Sequence, residues 1–151
     1  MKGLYHFLVS LGFFILFWGI VYCFSQIQFM YETPLEFIDS FYYWFFGLII
    51  ADFDIVLMKL FSWFKHRNIM THSIIPAIPA FLLHNMAAGM LCFTLGLHLL
   101  FDISKSLGKE YKGTFQELHI LKWNIGKAQS VIWLLGNGVI LIVCGIGFML
   151  I

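Results

Sequence analysis

Long hydrophobic runs separated by short polar stretches make up most of this chain. The first run, Leu4–Phe24, is long enough for a helix that crosses about 30 Å of hydrocarbon, which takes about 20 residues. It lacks a small-x-small cleavage site, so we expect a retained membrane helix and not a cleaved signal peptide. The last run, Ala128–Ile151, predicts a second such span.

Two further segments have polar residues at their ends. The run that begins near Phe37 reaches Ala51, where Asp52 and Asp54 interrupt it. The pattern leaves open whether the helix stops there or continues with two carboxylates inside it. The next stretch, 55–64, is apolar but is followed by basic residues, so we expect it to lie along the membrane interface with its aromatic side chains buried.

The third hydrophobic region, 73–102, is too long for one straight span. A single helix of this length would measure about 45 Å at 1.5 Å per residue. We therefore favour a chain that folds back near His84–Asn85, as a re-entrant or short helical hairpin over residues 74–102. Prolines on the first arm and glycines on the second suit two half-length, irregular helices at membrane depth. A tilted single span is the alternative.

Composition and charge support this topology. The chain has 151 residues, 61% of them hydrophobic and 11% charged, with a mean hydropathy of +0.89, so its apolar surface requires lipid. With the fold-back, the N-terminus and the two loops that contain most of the lysine and arginine residues lie on one side of the membrane. The positive-inside rule predicts that this side is cytoplasmic. No basic tract suggests nucleic-acid binding.

The predicted fold class is an all-α polytopic membrane protein in which residues 1–151 form a single integral membrane domain. It has about three full spans, the hairpin, and an amphipathic cytoplasmic segment within 105–127. Apolar residues in that segment, among them Leu118 and Trp123, suggest a short amphipathic helix.

Three short polar elements can carry chemistry. His98 and Asp102 are spaced i, i+4, so on a helix they share one face, either as metal ligands or as an intrahelical hydrogen bond. Asp52 and Asp54 would diverge by about 200° on a helix but can converge on an extended segment or a turn. The third element is His66–Ser73, with two histidines six residues apart and Arg67 between them.

The fold-back brings these elements to one level at the cytoplasmic interface. Carboxylates next to hydrocarbon are costly and usually line a site, so a metal centre is the favoured interpretation. A mixed Asp and His set suits zinc, with manganese and iron as alternatives, and two metals fit as easily as one. Arg67 suits an anionic substrate group, or equally an anionic lipid headgroup. The sequence contains no nucleophilic elbow, phosphate-binding glycine loop or redox motif.

Taken together, these elements resemble a family of bacterial inner-membrane proteins described as membrane-bound metal-dependent hydrolases. Its members typically show P-D-x-D at the end of a hydrophobic helix, then H-R-(two or three residues)-T-H-S, then H-x-x-x-D. The corresponding residues here are 51–54, 66–73 and 98–102, about a third of the chain, with Ala51 where proline is usual. The resemblance implies an inner-membrane location and a divalent metal.

The leading hypothesis is a membrane-embedded hydrolase that acts on an ester or phosphoester with metal-activated water at the cytoplasmic interface, and the expected substrate is lipid-linked. Its metal ligands would be Asp52, Asp54, His72, His98 and Asp102. His66 would be a further ligand or a proton carrier, and Arg67 would contact the anionic group. The alternatives are an ion- or proton-conducting protein or membrane effector, and a membrane scaffold with a structural metal. Expected partners are membrane lipids, the substrate and further copies of the chain in a homo-oligomer.

Overall fold

The structure is a computed structural model that describes residues 2–28, 34–82, 85–107, 118–120 and 123–150. It is helical except for one small hairpin, which confirms the predicted all-α class. The helices are α1 (Lys2–Gln28), α2 (Pro34–Ile50), α3 (Asp54–Leu60), α4 (Ile78–Phe81), α5 (Met86–Leu107) and α6 (Lys127–Met149), with 3₁₀ turns at Ala51–Phe53 and Ile75–Ala77. Strands β1 (His119–Ile120) and β2 (Trp123–Asn124) pair antiparallel.

Within the described residues, three helical stretches are long and apolar enough to cross a membrane. They are Phe37–Leu60, Met86–Ile103 and Lys127–Met149. A shorter apolar stretch, Phe7–Ile20, lies within the 27-residue helix α1. The first and last of the three agree with hydrophobic runs predicted to be helical, whereas Met86–Ile103 is longer than the half-length arm expected there.

The central helix is α5, and its contacts fix the direction of the others. α2 runs parallel to it, since Gly47 lies against Leu91 and Thr94 while the following Asp52 approaches His98. α6 runs antiparallel to α5 and α1 runs antiparallel to α2. The start of α1, the ends of α2 and α5 and the start of α6 therefore share one end of the bundle, called the site end below.

α5 and α6 approach so closely that glycine is required at their crossing. A Cβ on Gly145 would lie 2.7 Å from the backbone nitrogen of Phe93 and 2.9 Å from the carbonyl oxygen of Gly89. Both obstacles are backbone atoms, which cannot rotate away as a side chain can. Close backbone approach through small residues is how helices associate in membranes, where lipid removes the hydrophobic drive between them.

Replacing Gly145 with alanine is therefore expected to lower the free energy of unfolding by about 2 kcal/mol through overpacking. The matched control is Gly136→Ala on the same helix, where an added Cβ meets nothing within 4 Å. Equilibrium unfolding of both variants in mixed micelles with increasing dodecyl sulfate measures the difference. Equal stability of the two variants would contradict the close α5–α6 packing.

The fold-back of the third hydrophobic region is confirmed, but its two arms are unequal. Phe81 stacks on Phe148 near the end of α6, whereas His72 lies beside Asp102 at the site end. The first arm is a 3₁₀ turn and the four-residue α4, while the second is the 22-residue α5, not a half-length helix. Two prolines without N–H groups shorten the helical pieces of the first arm. Of the expected tip, Asn85 is described and His84 lies outside the described residues.

The second hydrophobic run continues as a helix through its two carboxylates. Residues 50, 53 and 54 all have right-handed helical backbone angles, and the 3₁₀ turn at 51–53 joins α2 directly to α3. Asp52 is about half exposed, whereas Asp54 is completely buried. Their carboxylates nevertheless come within 4.8 Å of each other, so the expected convergence occurs on a helical turn and not on an extended segment.

The amphipathic helix expected around Leu118 and Trp123 is wrong for the described residues, which form the β1–β2 hairpin. The reason is tertiary. His119 donates its N–H to the Arg67 carbonyl and accepts from the Ile69 N–H, and this pairing needs extended backbone. The β1–β2 hairpin is thereby hydrogen-bonded to the 66–69 segment.

Residues 53–64 include the stretch 55–64 that is expected to lie along the membrane interface, and its first part also belongs to the candidate span Phe37–Leu60. α3 and the residues after it leave many large apolar side chains exposed beside the exposed lysines Lys59 and Lys65. The exposed apolar residues are Phe53, Ile55, Val56, Met58, Leu60, Phe61 and Trp63. A short helix with this mixture suits the boundary between headgroups and acyl chains.

Candidate metal centre

Asp54 is the anchor of the turn that carries the two histidines. Its Oδ1 lies 2.9 Å from Nδ1 of His66, and its Oδ2 accepts hydrogen bonds from the Asn68 N–H (3.0 Å) and the Thr71 hydroxyl (3.1 Å). A buried carboxylate needs such donors, because desolvation would otherwise cost several kcal/mol. The start of α3 and the 66–71 turn are thus held together by one side chain.

The 66–73 turn is tightly determined by its own hydrogen bonds. Arg67 has a φ of +62°, in the left-handed region, which turns the chain sharply between His66 and Asn68. The Asn68 side chain accepts from the Met70 N–H, and the Asn68 carbonyl accepts from the His72 N–H. These bonds close a compact loop and aim the His72 ring inward, where it is fully buried.

The His72 ring has two different environments. Its Nδ1 lies 3.1 Å from the Thr71 hydroxyl and 3.5 Å from Oδ2 of Asp54. With the proton on Nδ1, His72 donates to Thr71 and turns the Nε2 lone pair toward Asp102. Outer partners commonly fix the tautomer of a ligating histidine in this way. Nε2 is buried, and no hydrogen-bond partner for it is found among the described residues.

Nε2 of His72 faces a group of atoms spaced as metal ligands are. Oδ2 of Asp102 lies 3.4 Å from Nε2 of His72 and 3.8 Å from Nε2 of His98, which is itself 3.8 Å from Oδ1 of Asp52. The 3.8 Å separations are too long for hydrogen bonds, so the intrahelical hydrogen bond between His98 Nε2 and Asp102 Oδ2 is not formed. Two ligands on one tetrahedral zinc, each bonded at about 2.0–2.1 Å, lie about 3.4 Å apart.

Two overlapping groups of candidate ligands result, and they share Asp52. One is Asp52, His72 and His98; the other is Asp52, Asp54 and His66; in each, the ligand atoms lie within 4.8 Å of one another. The chain therefore has an Asp and His site that is able to hold a metal ion. Its inner side is buried, and it opens to the exterior at Asp52 and at His66, which is about one-third exposed.

Arg67 lies at the edge of this site. Its Nη2 donates to Oδ1 of Asp102 at 3.1 Å, so the other carboxylate oxygen of Asp102 is the one that faces the two histidines. The guanidinium is mostly buried. An arginine held this close to the candidate ligands can also bind an anionic group that enters the site.

The carboxylate of Asp54 also changes the proton affinity of the exposed histidine. The hydrogen bond between Asp54 and His66 raises the pKa of the His66 imidazole above its ordinary value of 6.5. Burial acts in the opposite direction but is the weaker effect. His66 is therefore a better proton acceptor than a free imidazole.

All seven residues singled out from the sequence converge at the site end: Asp52, Asp54, His66, Arg67, His72, His98 and Asp102. Sequence reasoning named neither Asn68 nor Thr71 as part of the site. It also missed Trp133 and Asn137, whose hydrogen bonds reach the same turn. The one available signal was Asn137, an amide in the middle of an otherwise apolar run.

Comparison of the chain with protein-family models, with curated proteins and with solved structures gives no match. The resemblance based on the three motifs therefore stays an expectation, and function has to be argued from the site.

Proposed function

We propose that this protein is a membrane-embedded, metal-dependent hydrolase that cleaves an ester or phosphoester, with a lipid-linked compound as its substrate. The observation that carries the proposal is the buried group around Nε2 of His72, whose neighbours stand at ligand-like separations and not in hydrogen bonds. Burying an imidazole lone pair without a hydrogen-bond donor costs free energy unless the lone pair binds a cation.

The donor set fits a divalent metal, and zinc fits best. Two imidazoles with a carboxylate are a common catalytic zinc set, and they leave a position open for water. Asp52, His72 and His98 would hold the ion, with Asp102 beside them; direct ligation by Asp54 and Asp102 stays a prediction. Manganese and iron suit the same mixture of nitrogen and oxygen ligands.

A bound divalent metal supplies an acidified water and a polarised substrate oxygen. The chain's own residues supply the rest of the proposed chemistry. His66, at the exposed edge, accepts a proton from the attacking water, helped by its bond to Asp54. Arg67 binds the anionic group of the substrate and so orients the scissile bond.

The position of the site supports a lipid-linked substrate. Asp102 precedes the end of α5 by five residues, about 8 Å of helix, which is headgroup depth for a spanning helix. The exposed apolar segment 53–64 begins directly beside Asp52, so the open side of the site adjoins a surface suited to lipid. The positive-inside rule makes the site end cytoplasmic, and the motif resemblance favours a bacterial inner membrane.

Purified protein is expected to contain zinc, manganese or iron in at least equimolar amount by inductively coupled plasma mass spectrometry. It should hydrolyse phosphoesters presented in mixed micelles, lose this activity after treatment with a chelator and regain it when metal is added back. Metal-free protein that metal neither stabilises nor activates would overturn the proposal. Ion flux through liposomes that Asp52→Ala abolishes, without turnover of any ester, would favour the ion-conducting alternative.

A further inference from the structure

The last helix reaches the candidate metal centre through its polar side chains, although it contains no Asp, Glu or His. Trp133 donates its indole N–H to the carbonyl oxygen of His72 at 3.0 Å. One turn further along, Oδ1 of Asn137 accepts the N–H of Ile74 at 3.0 Å, and Nδ2 of Asn137 donates to the Trp133 carbonyl at 2.9 Å. α6 therefore holds the chain on both sides of Ser73.

These hydrogen bonds satisfy backbone groups that the fold-back leaves without helical partners. Residues 72–74 lie between the turn and the first 3₁₀ segment, so helical hydrogen bonds do not satisfy all their backbone groups. His72 and Ser73 are fully buried in the protein, so water cannot replace the missing partners, and unsatisfied backbone groups there are costly. A side-chain amide inside a spanning helix also costs free energy, unless it forms a hydrogen bond to such a backbone group. The hydrogen bond from the Ile74 N–H to the Asn137 side chain satisfies both groups.

The bonds also determine where His72 stands. Its N–H is held by the Asn68 carbonyl, its C=O by Trp133, and its ring Nδ1 by Thr71. Two of these three anchors belong to the local turn, which Asp54 holds to α3 and Arg67 joins to Asp102. Among the described residues, Trp133 ties the His72 peptide to α6, a long helix packed against α5, which carries His98 and Asp102. The distance from His72 to those two residues is thus also restrained through α6.

We infer that Trp133 and Asn137 are positioning residues of the metal centre: from α6 they hold the His72 backbone so that Nε2 stays at ligand distance from His98 and Asp102. This inference rests on the proposed function, because it requires that His72 binds metal. It adds that α6, which offers no ligand, sets the geometry and affinity of the site.

The test compares Trp133→Phe with Trp123→Phe in full-length protein in detergent. The two variants make the same chemical change, but Trp123 is exposed in β2. Cobalt(II) titration of the metal-free proteins gives the dissociation constant and the visible ligand-field spectrum. Trp133→Phe should weaken cobalt binding about tenfold, the lower end of the effect of outer partners of metal ligands, and should shift the spectrum. Trp123→Phe should leave both unchanged.

Unfolding of the metal-free proteins separates positioning from simple stabilisation. If Trp133→Phe unfolds more easily than the parent but binds cobalt with the same affinity and spectrum, the inference is overturned. Asn137→Leu provides a second variant, and it should weaken cobalt binding in the same direction; parental affinity in both variants would also overturn it. If the parent protein binds no cobalt, the proposed function fails, which is a different result from parental affinity in the variants.

Discussion

Replacing His72 with glutamine is expected to weaken metal binding by more than about a hundredfold and to reduce hydrolysis in proportion to the metal lost. Even outer partners of metal ligands are typically worth 10- to 100-fold in affinity, and His72 stands at the centre of the proposed ligand group. Its Nε2 lies 3.4 Å from Oδ2 of Asp102, and its ring is fully buried. Metal content after purification and isothermal titration with zinc measure the effect.

The matched control for this prediction is His119→Gln. His119 lies near the same turn, but it contacts it through backbone bonds to Arg67 and Ile69, and its ring belongs to neither ligand group. Zinc affinity should therefore be unchanged in the control. If both substitutions reduce metal binding equally, the loss reflects damage to the turn and not removal of a ligand. If neither does, the metal centre is placed on the wrong residues.

The second large effect is expected on stability. Asp54→Ala should lower the free energy of unfolding of the metal-free protein by about 3 kcal/mol, because the buried Asn68 N–H loses its acceptor and His66 loses its partner. The Thr71 hydroxyl also loses its bond to Asp54, although it keeps the Asn68 carbonyl as an acceptor. Equilibrium unfolding in mixed micelles gives the difference, and proteolysis within 61–73 reports whether the turn opens.

Asp52→Ala is the control, since it removes the neighbouring carboxylate from the same helical turn. The Asp52 side chain is about half exposed and Nε2 of its neighbour His98 is 3.8 Å away, so its loss should change stability by less than about 1 kcal/mol. Both variants should bind metal weakly, for different reasons: Asp52→Ala lacks a ligand, whereas Asp54→Ala lacks the anchor. Equal stability of the two would show that Asp54 is not the anchor of the turn.

The contrast between Asp52 and Asp54 illustrates what sequence reasoning misses. Both are aspartates beside hydrocarbon, and both are expected to be ligands on that ground. In the structure, Asp54 has three protein donors around its carboxylate, whereas Asp52 is the residue common to both ligand groups. The number of donors around a carboxylate depends on the loop that folds over it, and that loop comes from residues 66–71, which no local pattern places there.

The hairpin over residues 74–102 likewise has one feature that the sequence predicts and one that it does not. Its existence follows from length and charge alone, because one helix of about 45 Å does not fit the bilayer and would separate the basic loops. The unequal length of its two arms does not follow from length and charge. Pro76 and Pro79 restrict the first arm, but α5 continues as a full helix because α2, α6 and the first arm all pack on it. Packing from several sides overrides the local cost of Gly89 and Gly96 in a helix.

By itself, the sequence determined that this is a helical membrane protein, where its hydrophobic helices lie, and which Asp and His residues belong together. Hydrophobic length and charge asymmetry are properties of the chain that the membrane converts directly into topology. Only the tertiary structure decided that Asp54 anchors the turn, that β1 pairs with it, and that Trp133 and Asn137 reach it from α6. These contacts join residues up to 63 positions apart, and hydrogen-bond partners at that distance are set by packing and not by any spacing in the sequence.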